Sequence, residues 1–484
     1  MRLLLRCDAG PTTGVGHAVR CAAIAERAVA AGHDVLWSGC LDGVGWLWDG
    51  LEQAAGPVLD PADDARSLAA LARDVGADAV HVDHYLLGPE LRDALNPAGV
   101  VLSSVEDFHT GRRPADVVVD PNLGAADHPR PDDGSPVLLR GSAYAPLRAS
   151  VRRARERRTD VPVHDTPRVL VVMGGTDAAG LLPGVVGALA ATGVPADVDV
   201  VVPPGRALDV PCGFRAVGPV PDLPGAAAAM DLVVSAAGTT VWELCCVGVP
   251  MALVRVADNQ TEGYRAVTAA GAAAGLGTAA DLLGPDATAT LRHLLTDVDA
   301  RGALGTRARD VVDGCGAERV LDALRAATGA DRALTTRPAG AADAGMLLAW
   351  RNDPETRRWS RTPSPVPASE HRAWLDRSLA DRDRMLLVVE DADGPVGTVR
   401  WDHEPGGWEV SITVAPERRG AGFAGPVLAA GERALRAVTG AAVPVTAVVH
   451  RDNMASARLF ARAGYQPAGP PDADGFGTHR RTLD

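Results

Sequence analysis

The sequence predicts an α/β protein made of doubly wound parallel sheets, followed by a smaller α/β unit. Two observations support this prediction. Short apolar runs alternate with segments whose apolar residues recur at helical spacing, and glycine-containing turns follow several of the runs. A chain of 484 residues allows two to four domains of about 100–200 residues. We expect three domains, at residues 1–155, 160–328 and 332–484.

The first alternation covers residues 1–155. The apolar run Arg2–Cys7 predicts a buried strand, and apolar residues at helical spacing then predict a helix that ends at Gly32. Further strands are predicted at residues 35–37, 79–82 and 100–102. The arginine-rich stretch at residues 152–158 is interpreted as a solvated helix between lobes; the alternative is a phosphate or membrane patch.

The second alternation, residues 160–328, opens with a strand at Arg168 that runs into the turn Gly174-Gly175. Its other strands are predicted at residues 198–202, 232–235 and 251–256. Because strands and helices alternate again, this part is a second parallel-sheet lobe of the same class.

The third part, residues 332–484, differs in composition, since it holds five of the nine tryptophans. Its predicted elements are a hairpin of residues 385–390 and 397–401 around Asp393-Gly394, a strand at 408–414 and a helix from about Gly425.

The composition excludes several classes of function. All 48 basic residues are arginine, so mechanisms that need a lysine amine, such as those of P-loop NTPases, protein kinases and pyridoxal-phosphate enzymes, are excluded. The net charge of −13 and the 4% of aromatic residues argue against nucleic-acid binding. Seven cysteines without a CxxC pair argue against a disulfide framework and a structural zinc site.

We expect a cytoplasmic protein. The apolar run near the start stops after three leucines, which is too short for a signal peptide. No run of about 18 strongly apolar residues follows. The oligomeric state is left open.

The first candidate site lies between the first strand and the first helix, at Gly14, Gly16 and His17. Glycines there let backbone N–H groups approach a ligand, and the helix N-terminus offers donors to an anion. A dinucleotide fingerprint is incomplete, because Val19 stands at its third glycine. A helix N-terminus disfavours imidazolium, so His17 is a candidate proton acceptor; the alternative is a histidine that only caps the helix.

The second candidate site follows the strand at residues 79–82 and contains His81, Asp83, His84 and Tyr85. Ligands gather at the carboxyl ends of strands in such sheets. Alternation along the strand places His84 on the face opposite His81 and Asp83, so three ligands do not converge and we expect no metal. Contacts to sugar hydroxyls or structural hydrogen bonds are favoured instead.

The third candidate site consists of three turns in the second lobe. Small and hydroxyl side chains at helix starts suit a diphosphate, and an acidic residue one turn further can accept hydrogen bonds from ribose hydroxyls. The residues concerned are Gly174, Gly175, Gly238, Thr239, Thr240, Glu243, Asn259 and Gln260.

The segments GVGHAVRC, VDHY, GSAYAPLR, GGTD, SAAGTTVWE and DNQ, in this order, resemble the UDP-sugar hydrolases of pseudaminic acid biosynthesis over residues 1–325. The resemblance implies a GT-B-like pair of lobes, similar to the MurG glycosyltransferase. It also implies release of UDP from UDP-2,4-diacetamido-2,4,6-trideoxy-β-L-altropyranose. The sequence departs from the family's pattern at Ala9-Gly10, Glu106-Asp107 and Ala237.

The same resemblance assigns roles to residues of both lobes. His17 would assist the attack of water at the anomeric carbon. Gly14, Gly16, Asp83 and Tyr85 would contribute to the substrate site, and the second-lobe residues named above would hold UDP.

The third part contains a glycine loop between the strand at 408–414 and the next helix. Such a loop offers successive N–H groups to a pyrophosphate. With a helix that opens at Asn453 and ends at Gly464-Tyr465, it resembles the GNAT acetyltransferases over residues 332–484. The resemblance implies acetyl-CoA as the co-substrate. The cofactor-binding residues that it implies are Val414, Arg419, Gly420, Gly422, Ala424 and Asn453.

Two residues of this part are candidates for acid–base chemistry. By the resemblance, Tyr465 would protonate the leaving thiolate; the alternative is a tyrosine that only packs beneath the helix. Glu409 could act as a general base through water, and a solvent-facing strand residue is the equal alternative.

The fusion predicts a bifunctional enzyme of pseudaminic acid-type nonulosonate biosynthesis. A GNAT domain that acetylates the 4-amino group of a UDP-amino sugar would make the substrate that the first part hydrolyses to UDP and free sugar. The alternatives are a GT-B glycosyltransferase, a UDP-sugar-binding module without turnover, and a GNAT domain that acts on an unrelated amine or a protein N-terminus. The expected ligands are a UDP-amino sugar and acetyl-CoA, with no metal, nucleic acid or membrane.

Overall fold

The computed structural model describes residues 1–10, 14–41, 56–158, 164–175, 177, 179–329, 334–420, 422–440 and 442–483. The chain divides into two compact units, Met1–Ala327 (unit 1) and Thr328–Asp484 (unit 2). Within the described ranges, no helix is both long and apolar enough to span a membrane.

The first sheet of unit 1 belongs to the first lobe. Its strands are β1 Arg2–Cys7, β2 Asp34–Ser38, β3 Val58–Leu59, β4 Ala79–Asp83, β5 Val101–Val105, β6 Val117–Asp120 and β7 Val137–Arg140. They pair in parallel in the order β3-β2-β1-β4-β5-β6-β7. The helices of this lobe are α1 Gly16–Ala30, α2 Ala65–Asp74, α3 Leu91–Leu95 and α4 Ala149–Arg157.

The second sheet belongs to the second lobe. Its strands are β8 Arg168–Val172, β9 Asp197–Val201, β10 Phe214–Val217, β11 Leu232–Ala236, β12 Met251–Arg255 and β13 Ala274–Thr278. The order is β10-β9-β8-β11-β12-β13, again all parallel. The helices are α5 Leu182–Ala190, α6 Leu223–Ala228, α7 Thr240–Val247, α8 Thr261–Ala269, α9 Pro285–Thr296, α10 Val298–Val311 and α11 Gly316–Thr328.

Both sheets of unit 1 are covered on two faces, which explains their almost continuous apolar strands. On β1, Leu3 and Leu5 join the core formed with α1, whereas Leu4 joins the opposite core with Leu68 of α2. Successive side chains of a strand alternate between faces, so one apolar run supplies both cores. Leu321 of α11 packs into the core beneath α1; the last helix of unit 1 therefore returns to the first lobe.

The arginine-rich stretch is a helix with one solvated face, on which Arg153 and Arg157 are exposed, and one buried face. Val151 and Ala154 of α4 are buried in the core of the second lobe. Arg155 donates to backbone carbonyls of Cys246 and Val312, each at 2.8 Å. The interpretation as a solvated helix therefore holds for the outer face only, because on the inner face arginine buries its stem and satisfies its head on carbonyl groups at helix ends.

Unit 2 contains a mixed sheet. Its strands are β14 Thr335–Pro338, β15 Arg384–Asp391, β16 Gly394–Glu404, β17 Gly407–Val414, β18 Val443–His450, β19 Gln466–Pro467 and β20 Phe476–Leu483. The order is β14-β15-β16-β17-β18-β20-β19, and the pair β17–β18 alone is parallel among these described strands. The helices are α12 Ala344–Asn352, α13 Pro354–Arg358, α14 Ala368–Ala380, α15 Ala424–Thr439 and α16 Met454–Arg462.

Short 3-10 turns link these elements in both units, at Asn96–Ala98, Ala125–Asp127, Ser142–Tyr144, Asp258–Gln260, Asp281–Leu283, Ala341–Asp343 and Pro416–Arg418. The predicted architecture, two parallel-sheet α/β lobes followed by a smaller α/β unit, is confirmed.

Candidate active sites

His17 lies in the first turn of α1, beside the end of β4. Its Nδ1 is 2.5 Å from Oδ1 of Asp83. The buried carboxylate accepts this bond, so the proton is on Nδ1 and the lone pair is on Nε2. In the part of the chain that the structure describes, Nε2 has no hydrogen-bond partner. The arrangement suits a histidine that accepts a proton at Nε2.

Asp83 is held from its other side by Arg20, one turn further along α1. Arg20 donates from Nε to Oδ2 at 2.7 Å and from Nη2 to Oδ1 at 2.8 Å. Burial alone would raise the pKa of Asp83, but the charges of Arg20 and His17 and their hydrogen bonds hold it well below its usual range. Asp83 is therefore ionised at neutral pH and fixes the tautomer of His17.

A second carboxylate, Asp107, extends the cluster. It accepts hydrogen bonds from Arg20 at 3.0 Å, from the Tyr85 hydroxyl and from the Asn122 amide at 3.0 Å. The Tyr85 ring also meets the His17 ring edge-on, with centroids 4.6 Å apart. Burial would raise the pKa of Asp107, but Arg20 and the Tyr85 hydrogen bond lower it. The cluster therefore keeps two carboxylates around one buried guanidinium.

The sequence analysis gave no role to Arg20, Asp107 or Asn122, although Arg20 lies in the segment GVGHAVRC and Asp107 in the departure Glu106-Asp107. A signal for Arg20 was present, because residues three apart on a helix share a face with His17. Asp107 and Asn122 follow the ends of β5 and β6, the edge at which ligands gather in parallel sheets.

The two other histidines of this edge have separate partners. His81 lies 2.9 Å from the Ser103 hydroxyl, and burial lowers its pKa to about 4. His84 bonds through Nε2 to Asp8 at 2.9 Å. Over the described residues, no group of three potential ligands is close enough to hold a metal ion.

The glycine loop before α1 faces the turns of the second lobe. A Cβ added at Gly16 would lie 2.7 Å from Oγ1 of Thr239, and one at Gly175 would lie 2.9 Å from Val15. Gly14 and Gly174 have φ of 77° and 72°, which favours glycine. His17 is thus brought next to the turns that the sequence predicts to hold UDP.

Three helices begin around this cleft without a side-chain cap. They are α1, α7 and α8, whose N-cap residues are Val15, Thr239 and Gln260. No described side chain caps these helices, although the Val241 and Trp242 N–H groups of α7 already bond to the Gly238 and Thr239 carbonyls. The positive ends of the three helix dipoles suit an anion. By contrast, α2, α6 and α10 are capped by the aspartates 64, 222 and 297.

Among the remaining second-lobe candidates, the side chains of Glu243 and Gln260 already contact other groups of the protein. Glu243 is buried and forms an ion pair with Arg148 at 3.3 Å. Gln260 accepts from the Val256 N–H at 2.9 Å and lies close to Gly238. Thr240 opens α7, and Asn259 is exposed in the turn before α8. The roles of all these residues in binding UDP stay predictions.

In unit 2, β17 and β18 pair only from Trp408 to Val410 and then diverge. Val414 at the end of β17 still pairs with Gly397 but has no partner on β18. The gap leaves backbone groups of β17 available to an extended ligand. This geometry suits the predicted pantetheine contact of Val414.

The glycine loop after β17 leads to an uncapped helix. Gly420 and Gly422 both have φ of 75°, and α15 starts at Ala424 without a side-chain cap. The Arg419 guanidinium lies at the start of α13, where it donates to Asp353 at 2.5 Å and to Thr356 at 2.6 Å.

Asn453 is also engaged, since its side chain caps α16 by accepting from the Ser456 N–H at 3.1 Å. A pyrophosphate at this loop would therefore depend on backbone N–H groups, and both that site and direct cofactor contacts of Arg419 and Asn453 stay predictions.

The surroundings of Tyr465 bear on its predicted role as the donor of a proton to the thiolate. It is 1% exposed, and its hydroxyl donates to Glu432 at 3.0 Å. Burial and then the charge of Glu432 raise the pKa of Tyr465. Its ring packs edge-on against Phe460 in the core. This enclosure favours the packing alternative, and the role of Tyr465 as proton donor stays a prediction.

Glu409 lies on β17 in the stretch that pairs with β18. It is half-buried, and burial together with the charge of Glu404 raises its pKa. A carboxyl with a raised pKa beside the diverging strands suits a general base, which stays a prediction.

Comparisons with known proteins separate the two units. Residues 333–466 match the family model described as Acetyltransferase (GNAT) domain. A crystal structure of MurG from Acinetobacter baumannii has a TM-score of 0.50 and 18% identity, covering 67% of this chain and 99% of that chain. No curated protein matches the chain. Unit 1 therefore has a MurG-like GT-B fold, and a GNAT acetyltransferase domain follows it.

Two acetyltransferase structures also match. Spermidine N-acetyltransferase from Vibrio cholerae, solved with CoA and spermine, is 19% identical, covers 31% of this chain and 94% of that chain, and has a TM-score of 0.28. An aminoglycoside acetyltransferase solved with coenzyme A is 17% identical, covers 31% and 95%, and has a TM-score of 0.28.

Proposed function

We propose that unit 1 hydrolyses a UDP-linked 2,4-diacetamido-trideoxy sugar to UDP and free sugar, and that unit 2 acetylates its 4-amino precursor with acetyl-CoA. The observation that carries the proposal is the His17–Asp83 pair. It lies at the uncapped start of α1, opposite the second-lobe turns. The proposal also includes the pseudaminic acid-type pathway, for which the family resemblance over residues 1–325 is the support.

In this mechanism His17 takes a proton from water at Nε2 while the water oxygen attacks the anomeric carbon. The ring then becomes positively charged, and the adjacent Asp83 carboxylate stabilises it. The cluster of Arg20, Asp83 and Asp107 has a net charge of −1 when its carboxylates are ionised, so protonation of His17 brings the whole group to neutrality.

The UDP leaving group carries the negative charge that develops as the glycosidic bond breaks. The uncapped N-termini of α7 and α8 would stabilise that charge with backbone N–H groups. Thr239 and Gly238 allow close approach of the diphosphate to this backbone. No metal is required by this mechanism, because the helix ends supply the donors.

In unit 2 the acetyl-CoA pyrophosphate would bind the backbone of the loop that contains Gly420 and Gly422, and the thioester would reach the gap between β17 and β18. Glu409 would accept the proton of the substrate ammonium through water. The departing thiolate would take its proton from solvent or substrate, since Tyr465 is enclosed.

The experiment measures UDP release from UDP-2,4-diacetamido-trideoxy sugar with and without candidate acceptors. The proposal predicts full release without an acceptor. A glycosyltransferase is the second candidate, favoured by the MurG-like fold, and it predicts release only when an acceptor is added. Dependence on an acceptor would overturn the hydrolase proposal.

A further inference from the structure

A basic cleft lies at the amino ends of the second-lobe strands. It has a volume of about 320 Å³ and is lined by Arg158, Arg301, Arg309, Gly248 and Thr306, among others. Gly248 lies just before β12, at the end of the sheet opposite the turns after β8 and β11. The cleft is therefore separate from the candidate UDP site.

Backbone carbonyls, not carboxylates, hold the three guanidiniums of this cleft. Arg158 donates to carbonyls at the end of α6, and Arg301 to the last turn of α9. Arg309 donates to the ends of α7 and α4, and all these bonds are 2.7 to 3.3 Å long. Each guanidinium has five N–H donors, so these bonds fix its orientation and leave other donors for a ligand. Within the described ranges, none of the three arginines forms an ion pair.

The charges in the cleft do not cancel. Helices α4, α6, α7 and α9 end at the carbonyls involved, and each end carries about half a negative charge, about −2 in total against +3 from the arginines. Asp231 is the carboxylate whose charge acts on Arg158, but it bonds the Arg168 N–H and His164. Burial lowers the pKa of Arg158 to about 10, which leaves it charged at neutral pH.

We propose that the cleft formed by Arg158, Arg301 and Arg309 binds a phosphate-bearing anion, at a site separate from the candidate UDP site of unit 1. Fixed guanidiniums match phosphate oxygens in geometry and charge, and the volume is that of a small-ligand site, for which about 300–1,000 Å³ is usual. The three oriented guanidiniums repel one another, as the effect of Arg309 on Arg158 shows, and a bound anion would relieve that repulsion. The proposal is independent of the hydrolase assignment.

The test uses the full chain and inorganic pyrophosphate, measured by calorimetry with saturating UDP and coenzyme A so that the two predicted diphosphate loops are occupied. The main variant is Gly302→Glu, because Gly302 lines the cleft and a Cβ there meets nothing within 4 Å. It adds a carboxylate without removing an arginine. Gly302→Gln is its control of equal size and no charge.

A second pair of variants separates binding from helix capping. Arg309→Gln removes one cleft cation and its carbonyl bonds. Arg155→Gln removes an equivalent set of carbonyl bonds from an arginine that does not line the cleft. We expect Arg309→Gln to weaken pyrophosphate binding about 10-fold or more, and Arg155→Gln to leave it unchanged.

The outcomes are distinct. Saturable binding that Gly302→Glu removes and Gly302→Gln retains supports the proposal. A parallel sedimentation assay with phosphatidylglycerol vesicles, against phosphatidylcholine vesicles, shows whether the phosphate comes from a lipid headgroup, and binding there must show the same variant pattern. If neither probe binds, or if Gly302→Glu and Arg309→Gln bind like the wild type, the proposal is wrong.

Discussion

The two candidate catalytic side chains show opposite surroundings. His17 has one nitrogen fixed by a buried carboxylate and the other without a partner among the described residues. Tyr465 is enclosed, and its single hydroxyl is occupied by Glu432. His17 was selected from its place at the start of α1 and from a family resemblance, and Tyr465 from the resemblance to GNAT acetyltransferases. The difference teaches that a motif locates a residue, whereas burial and hydrogen bonding decide whether its reactive atom can work.

The largest expected effect tests the His17 side of this comparison. His17→Ala should slow UDP release by about 10²–10⁴-fold, the usual loss for a missing general base. Acetyl transfer, measured as coenzyme A release in the same preparation, should stay at the wild-type rate. Undiminished UDP release would show that His17 is not the base.

The next effect tests the carboxylate that distinguishes His17 from Tyr465. Asp83→Asn should slow UDP release by about 10²–10³-fold, because an amide can donate to Nδ1 and so place the proton on Nε2. Asp8→Asn is the matched control: Asp8 holds His84 in a similar pair at the same edge. Equal losses in both variants would mean that the Asp83 contact has no special role.

Asp83 also predicts a pH dependence of stability. The pKa of Asp83 is lower in the folded protein than in the unfolded chain, where it is about 3.9. Ionised Asp83 therefore stabilises the folded state above about pH 3.9. This stabilisation is lost as the pH falls through the pKa of the folded state. The free energy of unfolding, measured by denaturant titration, should fall on acidification below about pH 4 more steeply in the wild type than in Asp83→Asn. Equal slopes would contradict this contribution.

A substrate comparison sharpens the link between the units. If the unit 1 pocket is shaped for two acetamido groups, the 4-amino sugar would have to bury an ammonium without a partner. Such a charge is costly to desolvate, so the 4-acetamido substrate should release UDP about 10²-fold faster or more. The measurement is kcat/KM on the two purified sugars. Equal kcat/KM values for the two sugars would mean that hydrolysis does not depend on prior acetylation.

The smallest expected effect tests the Tyr465 side. Tyr465→Phe should leave the rate of acetyl transfer within about threefold, since an enclosed hydroxyl takes no part in proton transfer. It should lower the free energy of unfolding by about 1 kcal/mol, because a buried hydrogen bond to Glu432 is lost. Tyr264→Phe, which removes a tyrosine hydroxyl from unit 1 instead, is the control. A large loss of acetyl transfer specific to Tyr465→Phe would restore it as the proton donor.

The sequence was a good guide where a local pattern decides the structure. The glycine loop before α1 and the turns after β8 and β11 are where the spacing predicted them. Strands β6 and β18 were not predicted, because Val117–Asp120 is a short buried run without alternation and Val443–His450 contains a proline. Sheet order then determined what lies beside His17.

Long-range contacts account for what the sequence analysis missed. Arg20 and Asp107 meet because β4 and β5 are neighbours and α1 lies over them, which no local spacing reveals. The inward turn of Tyr465 depends on Glu432, 33 residues earlier on α15. The role of Arg158 was also missed, because its partners lie at the ends of helices far along the chain.

The central claim is that water, oriented by His17, attacks the anomeric carbon of the UDP-linked sugar. Hydrolysis of the 4-acetamido substrate in ¹⁸O-labelled water, followed by mass spectrometry of both products, tests it most directly. With no acceptor added, the account predicts one ¹⁸O atom in the free sugar and none in UDP. In His17→Ala, neither product should form. Label in a phosphate group, or an absence of products until an acceptor is supplied, would contradict it.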